Sequence, residues 1–250
     1  MLAFDFLNHT QTKGKTMMLD KGLGMNAVTD LLQTSGAELD YAKFGFGTAA
    51  TMDRDLVAAK IDLYTAAGVT PYPGGTLLEA ALAQDKYAEF LVEARALGFL
   101  AVEVSDGSTQ IGAQTRERVI DRAREAGFAV ITEVGKKNPE ADHELGVAER
   151  LHLIQTDLDS GASYVIMEAR EAGKNIGFYD ANGAIIEDEL DALASVGADK
   201  LIFEAPLKSQ QAALILKFGP QVNLGNIAAD EVTALTTLRR GLRGDTLGRV

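Results

Sequence analysis

The chain contains no cysteine, only three histidines, and aromatic residues at just 6% of its 250 positions. Without cysteine it forms neither disulfides nor thiolate metal sites. His9, His143 and His152 are scattered, and none has the spacing of zinc ligands. Positive charge is also short: 24 Lys and Arg against 36 Asp and Glu leave a net charge of -12. That balance argues against nucleic acid or an anionic membrane as a general partner. No apolar run approaches the ~20 residues needed to span a bilayer. The start, Met1-Leu2-Ala3-Phe4-Asp5, lacks the basic and apolar regions of a signal peptide. The expectation is a cytoplasmic protein. No Pro/Ser-rich linker or low-complexity stretch divides the chain, so residues 1–250 are read as one domain.

What is present is a regular alternation of short apolar runs and longer amphipathic ones. Strands are expected at Lys15–Asp20, Leu39–Phe44, Val69–Tyr72, Leu100–Ser105, Ala129–Val134, Ser163–Glu168, Lys200–Glu204 and Gln221–Leu224. Helices are expected between them at Asn26–Thr34, Arg54–Ala67, Leu77–Leu97, Gln114–Ala126, Glu144–Asp159, Glu187–Ser195 and Ser209–Phe218. A last helix runs from Asp230 to about Arg240. Several helices meet a glycine before the next strand, as in Leu97-Gly98 and Ala126-Gly127, which suits a left-handed C-cap. Unbroken βα repetition predicts a single-domain α/β (β/α)8 TIM barrel.

Four of the strands finish in an acid: Val102-Glu103-Val104, Ile131-Thr132-Glu133-Val134, Ile166-Met167-Glu168 and Ile202-Phe203-Glu204. An unpaired charge at the edge of a core is costly. Alternation puts Glu133, Glu168 and Glu204 in phase with Ile131, Ile166 and Ile202, which is taken as the inner face of the barrel. Barrel enzymes keep their chemistry at the C-terminal mouth. Asp20, Lys21, Lys43, Gly74-Gly75-Thr76, Glu103, Glu133, Lys137, Glu168, Arg170, Glu204, Asn223 and Asn226 are expected there. The glutamates are open to a second reading, a purely structural network with Lys21, Lys43, Lys137 and Arg170. If a metal is present, hard oxygen ligands favour Mg²⁺ over zinc. Gly45-Phe46-Gly47-Thr48-Ala49-Ala50 is a weak match to a dinucleotide fingerprint, with no acid to hold a ribose after the next strand. The stretch Gly225-Asn226-Ile227 follows the expected last strand, where barrels commonly hold phosphate. The C-terminal run Arg239–Thr246 reads as a solvated tail, an arm closing this barrel, or a contact with a neighbouring subunit.

Taken together, several blocks resemble the phosphosulfolactate synthase family. They include Leu19-Asp20-Lys21-Gly22-Leu23, Lys43-Phe44-Gly45-Phe46-Gly47-Thr48 and Tyr72-Pro73-Gly74-Gly75-Thr76. Glu103-Val104-Ser105-Asp106-Gly107, Glu133-Val134-Gly135-Lys136-Lys137, Glu168-Ala169-Arg170-Glu171 and Phe203-Glu204-Ala205-Pro206 continue the series. Val222–Ile227 and Leu238–Thr246 complete it, so the likeness runs nearly end to end. The resemblance implies a (β/α)8 barrel, Mg²⁺ dependence, and addition of sulfite to phosphoenolpyruvate on the way to coenzyme M. On that implication Lys137, Lys43 and Glu133 are catalytic, with Lys137 the proton donor and Lys136 its alternative. Lys21, Arg170, Asn223, Gly225 and Asn226 would bind substrate, and Glu103, Glu168 and Asp20 the metal. A homo-oligomer is expected. Two other outcomes stay open: a barrel enzyme acting on another phosphorylated enol or keto acid, and a non-catalytic stress-associated homologue.

Overall fold

The computed structural model describes residues 3, 4, 6 and 14–250. His9 and Met1, Leu2 and Asp5 of the N-terminal stretch lie outside the described residues. The strands are β1 Thr16–Asp20, β2 Tyr41–Phe44, β3 Thr70–Pro73, β4 Ala101–Val104, β5 Ala129–Val134, β6 Tyr164–Met167, β7 Leu201–Glu204 and β8 Leu224–Ala228. They form one parallel sheet in the order β3-β2-β1-β8-β7-β6-β5-β4. The ends β3 and β4 lie side by side without a ladder, so the barrel is nearly closed. Helices α1 Met25–Ser35, α2 Arg54–Ala66, α3 Gly75–Ala83, α4 Tyr87–Leu97, α5 Ala113–Glu125, α6 Pro139–Glu144 and α7 Val147–Asp159 surround its first part. α8 Glu187–Ala194, α9 Lys208–Phe218 and α10 Val232–Arg239 complete the ring. No helix among the described residues is long and apolar enough to cross a membrane.

Strand alternation creates two cores. Met17, Tyr72, Ala101, Ile131, Ile166 and Ile202 fill the barrel interior. Met18, Phe44, Val102, Val130, Val165 and Phe203 face outward and join the larger layer under the helices. Burying each such side chain contributes about 1.5–3 kcal/mol relative to exposure. Glu133, Glu168 and Glu204 do share the inner phase.

Three elements differ from expectation by more than two residues at an end. The long helix expected over Leu77–Leu97 is two, α3 and α4, because Asp85 turns left-handed (φ 56°) and the Lys86 amide reaches back to Ala81 O. The helix expected from Glu144 starts at Val147, and a separate turn of helix, α6, precedes it. There Asn138 caps the amides of Glu140 and Ala141, with Pro139 at the first position.

Strand eight begins where it was expected to end. Between Thr16↔Leu224 and Met18↔Ile227 the β1–β8 register slips, so β8 holds one residue more than β1. This bulge sits at Gly225-Asn226 and lets Leu224 and Ile227 both face the outer core. The C-terminal run folds back on its own barrel. Thr246 is buried and its hydroxyl donates to Leu238 O, while Asp245 pairs with Lys208 at 3.0 Å.

Candidate active site

Lys43, projecting inward from β2, is the hub of the mouth. Its ammonium lies 3.0 Å from Glu103, 2.9 Å from Glu133 and 3.5 Å from Glu204. Burial, the largest single effect, pulls its pKa down. The three carboxylates outweigh burial and hold it well above the usual lysine value. Lys43 is therefore a fixed positive charge rather than a proton donor.

The carboxyls around it are not equivalent. Burial opposes ionisation of Glu133, but Lys43, Lys137 and the adjoining Glu168 carboxyl keep it below the ordinary carboxylate range. Glu168 is raised well above that range, first by burial and then by Glu133 and Glu204. Glu103 is pushed up to about 7 by burial against the pull of Lys43, while Gly75 N–H donates to it at 2.7 Å. Glu204 accepts from the Ala169 amide at 3.0 Å and from Asn226 Nδ2 at 3.3 Å.

Lys137 reaches the same centre from the β5–α6 loop. Its ammonium donates to Thr76 Oγ1 at 2.9 Å and stands 3.6 Å from Glu133 and 3.8 Å from Glu79. Burial depresses its pKa, yet Glu133, Glu168 and Glu103 raise it beyond that. Gly135 makes the approach feasible: it adopts φ 136°, and a side chain there would press on Glu168 Cβ at 2.7 Å. Lys136 points elsewhere, held by Asp106 Oδ2 at 2.6 Å and by the carbonyls of Asp106 and Thr109. It clamps the loop and does not enter the mouth.

Above this cluster opens a cavity of about 580 Å³, with Lys43, Glu133, Lys137, Glu168, Arg170 and Asn226 in its walls. Arg170 is left-handed (φ 60°). Its amide donates to Glu168 Oε1 at 2.7 Å, and its guanidinium reaches the Lys137 carbonyl at 2.9 Å. Asn226, also left-handed (φ 56°), donates to the Arg170 carbonyl at 2.8 Å. Lys21 stands at the rim, paired with Glu171 at 2.7 Å.

Three expected members are elsewhere. Asp20 shares the phase of Met18, not Met17, and points out under α2. There it meets Lys60 at 2.8 Å and the Tyr64 hydroxyl at 2.9 Å. Asn223 lies at the opposite end of the barrel. It accepts from the Lys15 amide at 2.8 Å and donates to the carbonyls of Asp199 and Leu201. Gly225 faces the interior beneath the mouth, where a side chain would collide with Met17 and come within 2.9 Å of Ile202 Cγ2. It permits close packing at the bulge and is not a phosphate cradle.

Glu79 and Thr76 were absent from the expected binding set. Glu79 is buried on α3 and accepts from Ser105 Oγ, Ser108 N and Thr109 Oγ1, as well as standing near Lys137. A glutamate at the fifth position of an Ala- and Leu-rich helix carries no sequence signal of that role.

Glu103 Oε2, Glu133 Oε1 and Glu168 Oε2 are buried without a hydrogen bond, although Glu103 Oε2 lies 3.0 Å from the Lys43 ammonium. Among the described residues no group of three or more His, Cys, Asp or Glu forms a metal cage. Mg²⁺ characteristically needs less, one or two carboxylates with water and substrate oxygens. Glu133 and Glu168 meet that requirement. Glu103 is already engaged on both oxygens, and Asp20 is out of reach.

A (β/α)8 barrel with an acid- and lysine-lined mouth at its C-terminal end defines a barrel enzyme. Known barrels agree in fold: 3-hexulose-6-phosphate synthase from Salmonella typhimurium superposes with TM-score 0.60 at 14% identity. That match covers 90% of this chain and 98% of the other. The family model of (2R)-phospho-3-sulfolactate synthase matches residues 6–245, and the chain belongs to that enzyme family. Phosphosulfolactate synthase of Methanocaldococcus jannaschii is 54% identical, covering 100% of both chains. That of Methanothermobacter thermautotrophicus is 50% identical over 100% of this chain and 99% of its own.

Proposed function

We propose that the chain joins sulfite to phosphoenolpyruvate, with Mg²⁺, to give (2R)-phospho-3-sulfolactate. The observation that carries this reading is the charge imbalance of the mouth. Glu103, Glu133, Glu168 and Glu204 gather around two ammonium groups, Lys43 and Lys137, and open onto a cavity rimmed by Arg170 and Lys174. Such a site is built to take a divalent cation and an anionic substrate together.

The sulfur lone pair of sulfite forms a bond to the methylene carbon, and the double-bond electrons move onto the substrate carboxylate. A proton then goes to the carbon bearing phosphate, which restores the carboxylate. Lys43, permanently charged, stabilises the negative charge where it builds, in a site that cannot reorganise. Arg170 suits an oxyanion of phosphate or sulfite by bidentate hydrogen bonding. Lys137 enters the cycle protonated and stands at the cavity wall, so it is assigned the proton transfer. Mg²⁺, held by Glu133 and Glu168, would supply countercharge to the substrate carboxylate.

The test is to mix purified protein with phosphoenolpyruvate, sulfite and Mg²⁺ and follow phosphosulfolactate by mass spectrometry. Formation only with all three supports the reading. Consumption of phosphoenolpyruvate without a sulfonated product would point to another nucleophile.

A further inference from the structure

Gly45-Phe46-Gly47 has no part in the chemistry above, and it does not open an α-helix as a dinucleotide site requires. It leads into a 3-10 turn, Gly45–Ala50. Six non-glycine residues among those described take positive φ: Phe4, Phe46, Asp85, Arg170, Asn175 and Asn226. Three of them, Phe46, Arg170 and Asn226, line the same mouth cavity. Asparagine tolerates this conformation, but a bulky aromatic does so rarely. Strain of this kind gathers where structure serves a ligand.

The Phe46 ring is also 55% exposed, although exposure wastes its apolar surface. The loop beneath it is firmly set. Thr48 Oγ1 donates to the Gly45 carbonyl at 2.8 Å, and the Thr51 amide to the Thr48 carbonyl at 3.0 Å. Gly45 lies so close to Leu19 that a side chain would meet its Cδ1 at 2.5 Å. A rigid pedestal therefore displays an aromatic ring at the rim of a charged cavity, together with Leu19 and Ile176.

We propose that Phe46 is a specificity-determining residue: its ring lies over the bound three-carbon enol phosphate, covers the face of the methylene away from the attacking sulfite and keeps water out of the mouth. This rests on the function proposed above. The methylene is the apolar part of that substrate, and expelling water strengthens every charge acting on it. The same cover disfavours an analogue with a hydroxyl in place of the methylene, whose polar group would be left without a partner.

The chain has no tryptophan, so Phe46→Trp installs a single reporter at the rim. Titration with phosphoenolpyruvate in the presence of Mg²⁺ is expected to shift its emission to the blue and protect it from acrylamide. Phe46→Ala is expected to weaken phosphoenolpyruvate binding about tenfold, the scale of lost apolar contact in a substrate pocket, with Phe46→Leu recovering most of it. Calorimetry on the wild-type chain runs alongside. Normal binding to Phe46→Ala together with a silent tryptophan overturns the proposal while leaving the reaction untouched. Normal binding with an altered sedimentation coefficient in Phe46→Ala also overturns it, by assigning the ring to a contact between copies. If wild-type protein fails to bind phosphoenolpyruvate, the functional reading falls and this proposal with it.

Discussion

Two groups of buried charges sit within one barrel, and they are built differently. Outside the strands, Asp20 spends its carboxylate on Lys60, the Tyr64 hydroxyl and the amides of Gly22 and Leu23. Arg116 likewise grips Asp157 at 2.7 Å through two nitrogens and also reaches Asp106 and the Glu133 carbonyl. Asp20 and Arg116 are thus charge-matched and well hydrogen-bonded, although Arg150 Nη1 and Arg239 Nε, also outside the barrel interior, have no partner. Inside the strands four carboxyls share two ammonium groups, three carboxylate oxygens lack a hydrogen bond, and two of the acids have pKa values pushed upward. A scaffold gains nothing from that imbalance, because unpaired buried charge is destabilising. Matched charge marks structure here, and mismatched charge marks chemistry.

The largest effect expected from this contrast is on stability, from the outer group. Asp20→Ala strands the Lys60 ammonium in a dry site and should cost about 3–5 kcal/mol in chemical denaturation. Turnover per folded molecule should change little. A variant that stayed stable but lost activity would move Asp20 back into the site.

Next comes Lys137→Ala, where the effect should be kinetic. Turnover should drop by ~100-fold or more, the scale of a lost general acid, with phosphoenolpyruvate still bound and the unfolding midpoint nearly unchanged. A raised KM with unaltered kcat would instead make Lys137 a binding group.

The run Asn223–Asn226 offers a third comparison within four residues of chain. Asn223→Ala removes three hydrogen bonds at the foot of the barrel, one of them buried, and should cost about 2 kcal/mol of stability, at roughly 1 kcal/mol per bond with some relief by water. It should leave KM alone. Asn226→Ala, at the mouth, should raise KM for phosphoenolpyruvate and barely shift the unfolding curve. Equal kinetic defects in both would refute the assignment of the two asparagines to opposite ends.

Much of this was legible in the sequence because strand alternation is a strict rule. The inner phase of Glu133, Glu168 and Glu204 followed from Ile131, Ile166 and Ile202, and the barrel from its repetition. Asp20 misled because Met17-Met18-Leu19 is apolar throughout, so nothing in it reveals which parity faces inward. Asn223 misled because strand eight begins at Leu224 and does not end there, and Gly225 because the bulge adds a residue and shifts parity. Glu79 was invisible since its role comes from where α3 lands against the β4–α5 loop. The proton donor expected at Lys137 stands in a field that raises its pKa, because three glutamates surround it.

The smallest effect is a pH slope, and it tests the inner group most directly. Glu103 has an ordinary value of 4.5 and is pushed up to about 7 in the folded chain. A carboxyl with a raised folded pKa binds its proton more tightly folded than unfolded. Its stabilising contribution is therefore complete below pH 4.5 and is lost as pH rises toward 7. Within that window the slope from one such group is at most about 1.4 kcal/mol per pH unit. Glu133 works in the opposite sense, since its depressed pKa stabilises above the ordinary carboxylate value and is lost only in acid. Between pH 4.5 and 7 the wild-type unfolding free energy should therefore fall more steeply than that of Glu103→Gln, which keeps the shape and cannot titrate. Urea denaturation of both proteins at several pH values reads the difference. Parallel curves would mean that Glu103 is ionised throughout, and the inner ring would then hold more negative charge than Lys43 and Lys137 can balance.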